Sequence, residues 1–177
     1  TGTKPAANFA ASPLTSCAGQ PIQFTDMSTN SPDSWEWFFG DTKKSTTQNP
    51  SHVYDTAGNF HVKLIVRKNG CPDSLVKLNY ITILPPVSKF GVVYDCNTAT
   101  NVSFSDSSFG ALTYNWDFGD GSFSTATSPT HSYAAIGTYT IKLTVTNGAC
   151  THISQKTITL LNLSPVITSD QPSKCKN

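Results

Sequence analysis

Trp37-Phe38-Phe39-Gly40-Asp41 returns 79 residues later as Trp116-Asp117-Phe118-Gly119-Asp120. The same shift carries Pro50-Ser51-His52-Val53-Tyr54 onto Pro129-Thr130-His131-Ser132-Tyr133, and Leu64-Ile65-Val66 onto Leu143-Thr144-Val145. Cys17 lands on Cys96 and Cys71 on Cys150. One register held over so many separate landmarks means two copies of one structural unit. Any function therefore has to be sought in a repeating module.

Outward from the motif, the pattern is that of strands. Phe60, Val62, Leu64 and Val66 alternate with more polar neighbours, as do Tyr139, Ile141, Leu143 and Val145. A period of two is the mark of a half-buried strand. Trp35, Trp37 and Phe39 share one strand face, and Tyr114, Trp116 and Phe118 share its counterpart. Ile22-Gln23-Phe24 and Val102-Ser103-Phe104 read as further core strands, with returning edges over 80–84 and 157–161. Asn69-Gly70 and Asn147-Gly148 supply the positive φ that tight turns need. No stretch of helical length keeps a 3.6-residue apolar period. The expected fold is all-β, with two tandem sandwiches of about seven strands each.

The expected modules are residues 1–85 and 86–164, joined by Pro85-Pro86. Residues 165–177 repeat Pro86-Val87 as Pro165-Val166 and read as the opening of a third repeat. Proline fixes φ, so the joints are expected to be stiff and the modules to string out end to end. The chain has no initiator Met, signal peptide or long apolar run, and is read as a piece of a longer, processed protein that does not itself insert into a membrane.

Composition narrows the function. Charged residues make up 13% of the chain, against roughly 25% in an average soluble domain. Arg67 is the single arginine and the net charge is +1. Without clustered Lys and Arg to displace counterions, nucleic-acid binding is excluded as an expectation.

Trp116-Asp117-Phe118-Gly119-Asp120-Gly121, the Pro-Thr-His-Ser-Tyr run at 129–133, and Gly137 to Val145 together resemble the PKD repeat, named for polycystic kidney disease. The resemblance covers both modules. It implies immunoglobulin-type sandwiches in the extracellular parts of surface proteins and secreted bacterial hydrolases. The paired cysteines make the repeats similar to those of surface proteins that gliding bacteria export through the type IX system. In the first module Phe38 replaces the motif's Asp117 and Thr42 replaces Gly121. A β-carbon at positive φ costs about 1–2 kcal/mol, so a different turn is expected at 40–42.

Asp41 and Asp120 are expected to accept backbone N–H groups within their own turns. Acid–base catalysis needs a second carboxylate or histidine opposite each, and the spacing offers no pair at consistent positions. His52 and His131 read as partly buried imidazoles bonded to backbone. No nucleophile elbow is present, so no enzyme is expected. No cofactor is expected either. The resemblance allows calcium at Asp106 and Asp117, but the chain lacks the Asp-rich loop that six to eight oxygen ligands require. Trp37, Phe39, Tyr54, Trp116, Phe118 and Tyr133 are read as core. Phe109 and Phe123 have no repeat partner and are candidates for exposed sugar-stacking rings.

Cys17 and Cys71 are separated by 54 residues, as are Cys96 and Cys150. This spacing favours one disulfide per module, Cys17–Cys71 and Cys96–Cys150, leaving Cys175 unpaired, in an oxidising compartment. The equal spacing of Cys71 to Cys96 and Cys150 to Cys175 leaves bridges between modules open. These are disfavoured because the intervening strand and linker should hold the ends beyond the ~7 Å limit.

The function expected is that of a non-enzymatic, extracellular spacer or adhesive stalk in a large surface or secreted protein, linked to adhesion or gliding motility. Its partners would be neighbouring repeats and a surface glycan or protein. One alternative is an accessory module that helps a secreted hydrolase grip a polysaccharide or protein. Another is a protein-binding part of a secretion or motility apparatus.

Overall fold

A computed structural model describes residues 3–95 and 98–161. Among them there is no helix. The described residues fall into two units, one of those up to Val87 together with Ala149–His152, the other of those in Ser88–Gly148 and from Ile153 to Leu161. The boundary lies just past the Pro85-Pro86 joint.

The first unit has eight strands: β1 Phe9–Ser12, β2 Thr15–Cys17, β3 Pro21–Asp26, β4 Ser34–Phe38, β5 Lys44–Ser45, β6 Ser51–Val53, β7 Gly58–Lys68 and β8 Cys71–Leu84. They form one sheet in the order β1-β3-β6 and a second in the order β2-β8-β7-β4-β5. β7 and β8 make a long hairpin around Asn69-Gly70, both at positive φ, with Lys68 opposite Cys71. β2 runs parallel to the far end of β8 and sets Cys17 opposite Leu84.

The alternation read from the sequence decides what is buried. On β7, Val62, Leu64 and Val66 are fully covered while the residues between them are not. They meet Phe9, Ile22 and Phe24 of the smaller sheet, with Trp37 and Phe39 between. Each such large side chain contributes about 1.5–3 kcal/mol on burial. The Trp37 indole N–H donates to the Thr47 carbonyl at 2.9 Å, so its one polar atom enters the core satisfied.

The second unit repeats the plan with seven strands: β9 Phe90–Tyr94, β10 Asn101–Asp106, β11 Thr113–Asp117, β12 Phe123–Ser124, β13 Thr130–Ser132, β14 Gly137–Thr146 and β15 Thr151–Leu160. Its sheets run β13-β10-β9 and β12-β11-β14-β15. Phe90, Val102, Phe104, Trp116, Phe118, Ile141, Leu143 and Val145 fill its core. Trp116 donates to the Ala126 carbonyl at 2.8 Å, matching Trp37.

A second repeated device was not visible in the sequence. Lys77 and Lys156, 79 residues apart, each donate to a core strand carbonyl, of Phe9 and Phe90 respectively. Their ammonium groups lie 4.7 and 5.0 Å from the same phenyl rings. Each ammonium group thus finds both oxygen and π density at the same phenylalanine.

Candidate functional site

The repeated motif builds one structure twice. After β4 the chain turns at Gly40, and after β11 at Gly119, both at positive φ. A β-carbon on Gly40 would sit 2.6 Å from the His61 carbonyl oxygen, and one on Gly119 would sit 2.6 Å from that of Thr140. Glycine is required here because the neighbouring strand passes against the turn.

The next residue, aspartate, closes the turn. Asp41 Oδ1 accepts from the Lys43 amide at 3.2 Å, and Asp120 Oδ1 from the Ser122 amide at 3.0 Å. The second oxygen corrects the sequence reading. Asp41 Oδ2 lies 2.8 Å from His52 Nε2, and Asp120 Oδ2 lies 2.7 Å from His131 Nε2. Carboxylate and imidazole do pair at consistent positions, and the histidines bond to side chains instead of backbone. The signal was available, since both residues repeat, but each aspartate sits in a turn and each histidine on a strand of the other sheet, and only the folded sandwich joins them.

Each imidazole also stacks on the motif phenylalanine. His52 lies 4.0 Å from Phe39, and His131 4.3 Å from Phe118, with ring planes nearly parallel. Tyr54 and Tyr133 close the other side edge-on. Their hydroxyls donate to the carbonyls of Phe39 and Phe118 at 3.0 and 3.1 Å. Burial, with the nearby aspartate charge adding to it, pushes both phenols well above their usual pKa. For Asp120, burial raises the carboxyl, but hydrogen bonds from Ser122 and His131 outweigh it and hold the pKa at about 2.

Ser122, His131 and Asp120 form a serine–histidine–aspartate cluster without catalytic geometry. Ser122 Oγ approaches the same Nε2 that faces Asp120, and also donates to Asp120 Oδ1. A nucleophilic triad needs serine and aspartate on opposite ring nitrogens. Here the three groups fasten a turn.

The turn at 40–42 does not differ from its partner as expected. Thr42 takes φ 73°, beside 89° for Gly121, and Gly40 takes 87°, beside 79° for Gly119. Phe39 N donates to Lys43 O as Phe118 N donates to Ser122 O. The threonine is forced left-handed because the Gly40 contact and the Asp41–His52 pair fix the turn before it, while the Lys43 backbone, bonded to Phe39 N and Asp41 Oδ1, fixes it after. Phe38, in place of Asp117, gives up the hydrogen bond from Gly119 N to Asp117 Oδ1. It instead carries the ammonium groups of Lys44 and Lys63, at 4.4 and 5.7 Å from its ring.

Asp106 Oδ1 accepts from Ser108 N at 3.1 Å and Asp117 Oδ1 from Gly119 N at 2.9 Å. Among the described residues no group of three or more His, Cys, Asp or Glu side chains could hold a metal ion. No buried side-chain nitrogen or oxygen among them lacks a partner. Phe109 and Phe123 are each 65% exposed, and Leu112 is 75% exposed.

The disulfide differs from the pairing expected. Cys17 is bonded to Cys150, with Cα atoms 5.7 Å apart, and Cys71 is a free, exposed thiol. Cys17–Cys71 is impossible because β2 places Cys17 beside Leu84, the last residue of β8, while Cys71 is the first. Fourteen strand residues at ~3.3 Å each separate them by roughly 40 Å. Cys96–Cys150 fails because Cys150 is already taken. Cys96 and Cys175 lie outside the described residues, as does the segment 165–177. Beside the bond, Gly19 lies so near His152 that an added β-carbon would meet its ring at 3.1 Å. Burial lowers the His152 pKa, against the opposing pull of Asp55. A disulfide of this kind belongs to an oxidising, extracytoplasmic compartment.

Two β-sandwiches in tandem, each fastened by an aromatic-flanked Asp–His pair, define an immunoglobulin-like repeat protein. The family model for the PKD domain matches residues 2–83 and again 87–160. The chain belongs to the PKD domain family. It is 37% identical over 79 residues to a microbial collagenase of Vibrio alginolyticus, covering 45% of this chain and 9% of that protein. It is also 37% identical over 76 residues to the pre-pro-metalloprotease PrtV of Vibrio cholerae, covering 41% and 8%. Among solved structures it is similar to the PKD1 domain of Vibrio anguillarum Epp, at 33% identity and a TM-score of 0.41, over 44% of this chain and 94% of that domain. The chain thus spans less than a tenth of the curated relatives it matches. Its PKD domains are non-catalytic modules, and among the described residues no helix is long and apolar enough to cross a membrane.

Proposed function

We propose that these modules act as a semi-rigid spacer or adhesive stalk within a large extracellular protein, displayed at the cell surface and serving adhesion or gliding motility. The observation that carries this reading is that the repeated aspartate, histidine and tyrosine side chains bond within their own module. Asp41 and Asp120 face their own turns and histidines, the histidines lie under phenylalanine rings, and the tyrosines bond back to the motif carbonyls. The device holds a sandwich shut and needs no cofactor. Pro85-Pro86 and the Cys17–Cys150 bond add stiffness and durability. Neighbouring repeats are the first partners of such a module.

A second reading draws on Phe109, Leu112 and Phe123, which stand exposed on the second unit. In an accessory module of a hydrolase they would rest on a polymer. Pull-down on insoluble collagen, cellulose and chitin separates the two. The spacer stays in the supernatant with all three. Retention that is lost in Phe123→Ala would replace it with the accessory module.

A further inference from the structure

Cys17 stands in the first repeat and Cys150 in the second, and each has a repeat equivalent that does not share their bond. Cys150 corresponds to Cys71, and Cys17 to Cys96. The observed bond therefore joins position 17 of one repeat to position 71 of the repeat that follows. Cys71 is the same receiving position, one repeat earlier.

We propose that Cys71 is a disulfide-receiving site for the position-17 cysteine of a PKD module of this kind placed ahead of it, so that such bonds run from each repeat to the next. Two observations beyond the thiol point to that occupant. Its equivalent, Cys150, is already bonded to a position-17 cysteine and is 4% exposed, whereas Cys71 is exposed. Cys71 also opens onto a cavity of about 370 Å³ lined by Thr3, Lys4, Lys68, Asn69 and Pro72. That is space for a short loop to lie against the Asn69-Gly70 hairpin. Cys71 cannot use Cys17 of its own module, which is a strand length away.

The bond forms by thiol–disulfide exchange with a small disulfide oxidant. One cysteine thiolate attacks the reagent and displaces a thiol. The other thiolate attacks the resulting mixed disulfide and displaces the second. Two thiols lose two protons and two electrons, and the reagent is reduced to two thiols.

The test is a three-module tandem with residues 1–87, carrying Cys71→Ser, placed ahead of residues 7–177. It is refolded in a redox buffer, alkylated and digested without reduction. A peptide linking position 17 to position 71 is expected in the tandem and not in the two-module chain. The Cys17–Cys150 peptide in the same digest shows that the tandem has folded. Changing the downstream Cys71 to Ser as well should leave one more cysteine open to alkylation. Cys71 alkylated in the folded tandem, or capped by the small thiol, would overturn the proposal. The polymer pull-down above tests the spacer reading separately.

Discussion

The two motif turns trace the same backbone with different residues. At 119–121 the turn has glycine at both left-handed positions, a serine that bonds to both His131 and Asp120, and Asp117 bonded to Gly119 N. At 40–42 it has Thr42 in the second left-handed position, Lys43 directed to Asp55, and Phe38 beneath two lysines. What is common to both is the first glycine, the aspartate and the histidine. The pair at 52 and 41 is also more enclosed, with side chains 9% and 11% exposed against 17% and 22% at 131 and 120. The comparison separates what dictates the turn from what decorates it. A close strand contact and a buried carboxylate–imidazole pair dictate it strongly enough to hold a threonine in a conformation it avoids.

The largest effect should come from removing the histidines. His52→Ala leaves Asp41 enclosed with one oxygen unanswered and should cost about 3 kcal/mol, the range for breaking a buried pair. His131→Ala should cost about 1–2 kcal/mol, since Ser122 still bonds Asp120 and water reaches the site more readily. Urea unfolding followed by tryptophan fluorescence measures both, and equal losses would break the comparison. Acid comes next. The folded pKa of Asp120 is about 2, below the ordinary value near 3.9, so its stabilisation is present above pH ~4 and fades as pH falls toward 2. Thermal melts from pH 6 to 2 should show a shallower decline for Asp120→Asn than for the unaltered chain. The smallest effect is a gain. Thr42→Gly relieves left-handed strain of about 1–2 kcal/mol but frees the unfolded chain by about 0.4–1 kcal/mol, leaving between about 0 and 1.6 kcal/mol of stabilisation. A midpoint that falls in urea would mean Thr42 is not strained.

What the sequence made legible was whatever repeats along the chain or alternates along a strand. The tandem sandwiches, the inward faces of β7 and β14 and the core role of Trp37 and Trp116 followed from spacing alone. Contacts across strands were not legible. Asp41 and His52 lie 11 residues apart and meet only because the turn after β4 is brought against β6. Lys77 reaches Phe9 across 68 residues. The disulfide was misread for a related reason. Equal spacings leave a repeat protein free to pair within a module or onward to the next, and the deciding fact was the length of β8. Thr42 was misread because the intrinsic preference of one residue was weighed without the neighbours that override it.

The Cys17–Cys150 bond encloses most of the chain in a single covalent loop. Tension applied at the two ends would pass through the sulfurs and bypass the 133-residue separation between them. That stretch would otherwise pay out roughly 450 Å of slack at ~3.4 Å per residue. Until that bond meets a reductant, load cannot draw out the residues it encloses, so their extension is governed by redox chemistry more than by how firmly either sandwich is folded.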